Sequence, residues 1–181
     1  AVDVALEAAR AQGAETRKLF LLDHPIEFCH NCRSCTQEPG VPRGRCVIED
    51  GMAAMLDEID AADGLIFASP VNIGEVTAIT RRFFERMVCY NYWPWEHPAP
   101  KPRVTQLTKR AVLITSTAMP RLIARFFTRS MGTLRRMAKV VGARSVGELY
   151  IGLAAQVPDQ QLTDAEIMRA TAMGSRLVAS R

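Results

Sequence analysis

The stretch LIFASPVNIGEVTAITRRFFER, from Leu65 to Arg86, decides how this chain folds. It begins with a short run that is apolar throughout and continues through a turn marked by Pro70 and Gly74. Uninterrupted apolar runs of this length are typical of strands buried on both faces. The remainder spaces its apolar residues as one face of a helix does: Val76, Ile79, Phe83 and Met87. Strand, loop and helix in succession indicate one unit of a parallel α/β sheet.

Three further apolar runs have the same character: LFLL at 19–22, AVLI at 111–114 and ELYIG at 148–152. Helical spacing lies between and after them: over 52–59, over 122–141 as one long helix, and in a last helix capped by Thr163 or Asp164. Repeated strand-helix units imply right-handed crossovers, and therefore a parallel sheet covered by helices on both faces.

The beginning of the chain differs from this pattern. Residues 1–15 open inside a helix that Gly13 would end, and no strand precedes it. A doubly wound sheet normally places a central strand before such a helix. We therefore expect that a first strand and its phosphate loop are missing from this sequence, and we treat residues 1–181 as one domain.

Composition narrows the classes of function. A chain of 181 residues with 48% hydrophobic and 23% charged residues suits a single globular domain. No apolar run approaches the roughly 20 residues of a membrane span, and no leader peptide is apparent. The net charge of +4 comes from arginines scattered over several helices, which argues against nucleic-acid binding. We expect a cytoplasmic protein with no membrane and no nucleic-acid partner.

Four of the five cysteines lie in the loop 29–46. Cys29, Cys32 and Cys35 form C-x2-C-x2-C, and Cys46 follows after ten residues. In the reducing cytoplasm such thiols bind metal or take part in redox chemistry. Three thiolates at this spacing can hold three corners of a cubane iron-sulfur cluster, and a fourth can close it. A zinc site and unligated or redox-active thiols remain open alternatives.

The cysteine loop, residues 69–74 and residues 115–117 each follow an apolar run. The carboxyl ends of parallel strands meet at one edge of a sheet, where ligands bind, so we expect all three loops there. The candidate ligand contacts are Ser69, Pro70, Val71, Asn72, Ile73 and Gly74, then Thr115, Ser116 and Thr117. Main-chain amides of 71–74 could bind a flat heteroaromatic ring. Equally, these three hydroxyl residues could simply lie where a strand ends and contact no ligand.

The segment 90–103 is rich in aromatic residues and contains four prolines. Its composition is too rigid for a linker. We expect it at a subunit interface, as a lid over a ligand, or packed against its own domain.

Residues 69–86 resemble the flavin-contacting loop and following helix of the NAD(P)H-dependent FMN reductase family, whose usual form is close to S-P-V-Y-x-G-x-V-S-x-x-x-K-x-F-x-D-R. The matching positions are Ser69, Pro70, Val71, Gly74, Val76, Phe83 and Arg86. The chain departs at Asn72, where an aromatic residue is common, and at Arg81, where lysine is usual.

The cysteine motif and the CVIEDGM run behind it resemble the iron-sulfur flavoprotein branch of that family, with Gly51 in place of a second aspartate. The ten residues between Cys35 and Cys46 exceed the branch's usual spacing.

The resemblance implies a flavodoxin-like sheet of strand order 2-1-3-4-5, FMN as cofactor, NAD(P)H as an electron donor, and a homodimer or tetramer. It implies electron transfer between FMN and a 4Fe-4S cluster on the four cysteines, serving a small-molecule redox substrate or an electron-transfer protein. One alternative is a cluster-free NAD(P)H-dependent FMN or quinone reductase with structural or zinc-binding cysteines. Another is a non-enzymatic electron carrier or redox sensor.

Overall fold

The structure is a computed structural model that describes residues 1–178. The helices are α1 (Val2–Arg10), α2 (Met52–Ala61), α3 (Ala78–Arg86), α4 (Arg121–Phe127), α5 (Ser130–Val140) and α6 (Asp164–Val178). The strands are β1 (Gly64–Asn72), β2 (Glu75–Val76), β3 (Asn91–Tyr92), β4 (Lys101–Pro102), β5 (Lys109–Ser116) and β6 (Ala143–Ile151). Among residues 1–178, no helix has both the length and the apolar character that crossing a bilayer requires.

The main sheet has the order β2-β1-β5-β6, in which β1, β5 and β6 are parallel and β2 folds back on β1. β5 is central, and its residues from Ala111 to Thr115 are all buried, as the apolar run predicts. One core layer joins the sheet to α2, α3 and α5, and the other joins it to α1 and α6. Helices on both faces of a parallel sheet confirm the predicted α/β class.

The predicted strand at 19–22 is wrong. Residues Leu21–Asp23 form a single 3-10 turn, and Phe20 and Leu22 are 56% and 83% exposed. A strand needs a hydrogen-bonding partner, and within residues 1–178 the neighbours of β1 are β2 and β5. The expected strand before α1 stays a prediction.

The single long helix predicted over 122–141 is also wrong, because α4 and α5 are separate. Thr128 is extended, and its hydroxyl donates to the carbonyl of Ala124 at 2.7 Å, which ends α4. The Arg129 N–H then donates to the carbonyl of Gly74 at 2.7 Å, outside either helix. The break therefore ties the start of α5 to the loop after β1.

The last helix begins as predicted. The Thr163 N–H donates to the Glu166 carboxylate at 2.9 Å, and the Glu166 N–H donates to the Thr163 hydroxyl at 3.3 Å. This reciprocal pair is a capping box, which satisfies two backbone donors at the helix start.

Candidate functional site

The loop after β1 is a tight β-hairpin. Val71 pairs with Val76 and Asn72 with Glu75, which leaves Ile73 and Gly74 as the two-residue turn. Both turn residues have positive φ, 47° and 77°, as a type I′ hairpin requires. Positive φ is unusual for a β-branched residue, and Ile73 is fully exposed. Strain of this kind concentrates at functional sites.

The predicted ligand contacts divide into accessible and buried groups. The parallel register sets Ser69 beside Thr115 and Pro70 beside Ser116, so the two loops meet at one sheet edge as predicted. Pro70, Asn72 and Ile73 are exposed, whereas Val71, Gly74 and Ser116 are half-buried. These groups are the accessible part of the candidate site, and their contact with a ligand stays a prediction.

The other three predicted contacts have buried hydroxyls engaged within the protein. The Ser69 hydroxyl accepts from the Thr77 N–H at 3.1 Å, and the Thr115 hydroxyl donates to the Ser69 carbonyl at 2.9 Å. The Thr117 hydroxyl accepts from the Met119 N–H at 3.2 Å. These bonds hold the loops in place, and direct contact of the three hydroxyls with a ligand stays a prediction.

All four cysteines of the motif line one small cavity of about 50 Å³, hereafter the four-thiol cavity. Cys35 is buried, Cys29 and Cys46 are half-buried, and Cys32 is exposed. Asn31 and Arg33 have positive φ, 53° and 60°, which curls the chain between the first three thiols. The structure therefore brings the four cysteines to one cavity, and their binding of a metal stays a prediction. Cys89 is buried and does not line the cavity.

Gly44 explains how Cys46 reaches the other thiols despite the long spacing. A Cβ on Gly44 would lie 1.7 Å from the carbonyl oxygen of Cys35, so only glycine allows the two arms of the loop to touch. The Gly44 N–H also donates to the carbonyl of Cys89 at 2.9 Å. The ten intervening residues fold back on themselves, so the long spacing does not keep Cys46 out of the cavity that the other three thiols line.

The segment 90–103 packs against the cysteine loop of its own chain. The Arg33 guanidinium lies 3.9 Å from the Trp93 ring and 4.3 Å from the Trp95 ring. The Arg103 guanidinium donates to the carbonyls of Cys35 at 3.4 Å and Glu38 at 2.7 Å. The segment therefore packs against its own domain, one of the three placements weighed from the sequence, and the subunit-interface and lid placements stay predictions.

A buried ion pair closes the cavity on the side of α3. Arg86 pairs with Asp50 at 2.6 Å, and their side chains are 1% and 3% exposed. Arg86 also donates to the Cys46 sulfur at 3.5 Å. Both charged residues lie in motifs noted in the sequence, but their pairing was not predicted. No periodic pattern connects two positions that are 36 residues apart.

Burial and hydrogen bonding give the thiols different acidities. Burial, with smaller contributions from Cys46, Cys29 and Cys32, raises the pKa of Cys35 to about 11. The Ser34 hydroxyl donates to the Cys32 sulfur at 3.4 Å and lowers the pKa of Cys32. The buried Asp50 carboxylate, which desolvation alone would make less acidic, has a lowered pKa because Arg86 and two backbone N–H groups donate to it.

The two parts of the candidate site lie at opposite ends of α3. Ser69 contacts Thr77 at the start of this helix, and Arg86 is its last residue. Nine helical residues rise about 13 Å. The cysteine loop does not follow a strand, so the argument from a shared sheet edge does not apply to it, and α3 is the element that connects the two parts.

The chain belongs to the NADPH-dependent FMN reductase family, whose sequence profile matches residues 1–148. It is 33% identical to an iron-sulfur flavoprotein of Methanosarcina thermophila over 87 residues. This aligned stretch covers 48% of this chain and 43% of that protein. It is 31% identical over 93 residues to an iron-sulfur flavoprotein of Archaeoglobus fulgidus, covering 51% and 40%. The matches span less than half the length of these relatives.

Solved structures agree on the fold. An NAD(P)H:quinone oxidoreductase from Methanothermobacter marburgensis superposes with a TM-score of 0.66 at 19% identity, over 97% of this chain and 89% of that one. An FMN-dependent NADH-azoreductase from Bacillus anthracis, in complex with FMN, gives 0.70 at 11% identity, over 98% and 89%. Identities this low support the flavodoxin-like architecture and no more.

Proposed function

We propose that this chain is a flavin-dependent oxidoreductase that passes electrons between FMN at the β1–β2 hairpin and a 4Fe-4S cluster on Cys29, Cys32, Cys35 and Cys46. Membership of the FMN reductase family supports the flavin, and the similarity to iron-sulfur flavoproteins supports the cluster. The observation that carries the proposal is the four-thiol cavity, which gathers cysteines separated by up to 17 positions.

The donor set fits an iron-sulfur cluster. Thiolates are the usual ligands of such clusters, and no carboxylate lines the four-thiol cavity. Two arginines, Arg33 and Arg86, line it and supply positive charge opposite the thiols. The Nε–H groups of both are buried without a hydrogen-bond partner in residues 1–178, but so is that of Arg82, which lies outside the cavity lining. The two positive charges in the lining, and not the unpaired donors, favour an anionic occupant.

The hairpin supplies the flavin part of the proposal. Its exposed turn and the neighbouring Ser116 offer backbone and hydroxyl groups at one sheet edge, where open α/β sheets bind ligands. Asn72 stands where the family commonly has an aromatic residue, so this chain would contact the ring with an amide. FMN accepts electron pairs and releases single electrons. The protein would hold the flavin site at the start of α3 and the cluster site at its end.

The absorption spectrum and the iron, zinc and acid-labile sulfide content of anaerobically purified protein test the proposal. We expect flavin bands with a broad shoulder that dithionite bleaches, and about four irons and four sulfides per chain. Flavin bands with zinc or without metal would remove the cluster from the proposal. A protein that neither retains nor binds FMN would refute the flavin site.

One observation favours a second candidate, a cluster-free NAD(P)H-dependent FMN or quinone reductase. Within residues 1–178, no three histidine, cysteine, aspartate or glutamate side chains are close enough together to hold a metal ion. The thiols share a cavity but would have to move closer to coordinate one centre. Steady NAD(P)H oxidation by metal-free protein, equal to that of protein as purified, would support this candidate.

A further inference from the structure

Arg86 is fixed beside the four-thiol cavity by several independent contacts. Its Nη1 donates to Asp50 at 2.6 Å and to the Glu27 carbonyl at 2.9 Å. Its Nη2 donates to Asp50 at 3.2 Å and to the Cys46 sulfur at 3.5 Å. The residue is 3% exposed. Because both ends of the guanidinium are held, its charge cannot move away from the sulfur.

This arrangement places a permanent positive charge next to one thiol in surroundings with little water. Arginine stays protonated at every relevant pH, and the charge of Asp50 is shared with the backbone N–H groups of Glu27 and Met52. A hydrogen bond from a charged donor is stronger than one from a neutral donor. Arg86 therefore holds a charged hydrogen-bond donor against the Cys46 sulfur.

We propose that Arg86 is a positioning residue that, through its hydrogen bond to Cys46, raises the reduction potential of the cluster. This inference rests on the proposed function, because it requires a cluster on the four cysteines. One added electron increases the negative charge of the centre by one unit, and a fixed nearby cation stabilises the reduced form more than the oxidised form. Hydrogen bonds to the sulfurs and net charge are known to set such potentials.

Two variants separate this role from simple support of the fold. Arg86→Lys keeps the positive charge but loses the fork that reaches Asp50 and Cys46 together. The double variant R86Q/D50N removes the cation without leaving an unpaired carboxylate in the core.

Two control variants keep the Arg86 side chain itself. Asp50→Asn alone removes the partner and keeps the cation. Arg82→Gln changes an arginine one turn earlier on α3, which donates to the Ile26 carbonyl at 3.0 Å and lies 3.8 Å from the Phe28 ring. Within residues 1–178, the Arg82 guanidinium donates to a backbone carbonyl and to no sulfur.

The measurement is the midpoint potential of the cluster in anaerobic protein, titrated with dithionite and followed by absorbance and electron paramagnetic resonance. We expect R86Q/D50N to bind the electron about tenfold more weakly than wild type, a fall of about 59 mV for one electron. Arg86→Lys should lower the midpoint potential by a smaller amount. The midpoint potential of Arg82→Gln should match that of wild type, and the potential of Asp50→Asn should not be lower than that of wild type.

Two results would overturn the inference. One is an unchanged potential in both Arg86 variants with iron and sulfide retained. The other is loss of iron from both Arg86 variants while Arg82→Gln keeps it, which would make Arg86 a support of the loop and not a determinant of potential. Failure of the proposed function is seen separately, as absence of iron and sulfide from the wild-type protein.

Discussion

The guanidinium of Arg33 stacks 3.9 Å from the ring of Trp93 and donates to the Trp93 carbonyl at 2.6 Å. Two contacts between the same residues tie the middle of the cysteine loop to segment 90–103. The backbone N–H of Trp93 also donates to the carbonyl of Thr36 at 2.8 Å, and Thr36 is fully buried. The cysteine loop and this segment therefore form one folded unit.

Replacing Trp93 with leucine should loosen this unit. We expect Trp93→Leu to lower the free energy of unfolding by about 1 to 2 kcal/mol, because a partly desolvated cation–π contact is lost. Urea denaturation measures the change. Trp95→Leu is the matched control, since Trp95 also lies against Arg33 but is 61% exposed. Equal losses in the two variants would contradict the special position of Trp93.

Gly74 tests the hairpin as a flavin site. An alanine there must keep a φ of 77°, which costs roughly 1 to 2 kcal/mol. Its Cβ would only touch the Phe127 carbonyl, at 3.8 Å. We expect Gly74→Ala to weaken FMN binding, measured by fluorescence titration of flavin-free protein.

The control for this variant is Gly13→Ala. Gly13 has a φ of 88° and nothing within 4 Å of its Cβ position. An alanine at position 13 would have similar backbone strain, at a position distant in sequence from the hairpin. Both variants should lose similar stability in urea, and only Gly74→Ala should bind FMN less tightly. If FMN affinity falls equally in both, the loss comes from general destabilisation.

Asp50→Asn should be strongly destabilising at neutral pH, by about 3 to 5 kcal/mol, because it leaves the Arg86 cation buried without its partner. Asp57→Asn is the control: its carboxylate is 71% exposed in its pair with Arg43, and such pairs contribute about 1 kcal/mol or less. Urea denaturation of metal-free protein measures both.

The pH dependence follows from the lowered pKa of Asp50. A carboxylate that is more acidic when folded contributes stability above its unfolded pKa, near 3.9, and loses it as the pH falls through the folded value. The deficit of Asp50→Asn relative to wild type should therefore be full at pH 7 and shrink in strong acid. A deficit that is constant from pH 7 to pH 2 would contradict this account.

The thiols of metal-free, reduced protein should react with iodoacetamide in a fixed order. Thiolate is the reactive form, so Cys32, which is exposed and has a lowered pKa, should react first. Cys35, whose burial raises the pKa to about 11, should react slowly at pH 8 and faster toward pH 10. Peptide mass spectrometry resolves the order.

Cys89 is the internal reference for this experiment. It is 1% exposed, and burial raises its pKa to about 12. It should stay unlabelled while the protein is folded and react fully in urea. Labelling of Cys35 as fast as Cys32 would show that the four-thiol cavity is open without metal.

The sequence predicted those parts of the fold that local patterns determine. The run 111–114 is apolar throughout because β5 has a core layer on each face, and Thr163 with Glu166 marks a helix start by local bonds alone. Residues 19–22 have an equally apolar pattern, yet they lack a neighbouring strand in the described chain. Apolar character indicates a preference for burial and does not supply a partner.

The candidate site shows the same division. The gathering of the four cysteines followed from their spacing, whereas the contact between Gly44 and Cys35 follows from how the loop folds back. The residue before α5 is held by a bond from the Arg129 N–H to the carbonyl of Gly74, 55 positions away. Contacts between distant positions leave no periodic trace in one sequence, so the contacts of Arg86 with Asp50 and Cys46 became visible only in the structure.

The unit formed by Arg33, Trp93 and Arg103 has a consequence for protein engineering. A designer who grafts residues 29–46 alone onto another flavodoxin-like scaffold would transfer the thiols without the indole ring and the carbonyl-binding arginine that shape them. The portable module consists of two segments, 29–46 and 90–103, which are separated in the chain by more than forty residues. Both would have to be transplanted together.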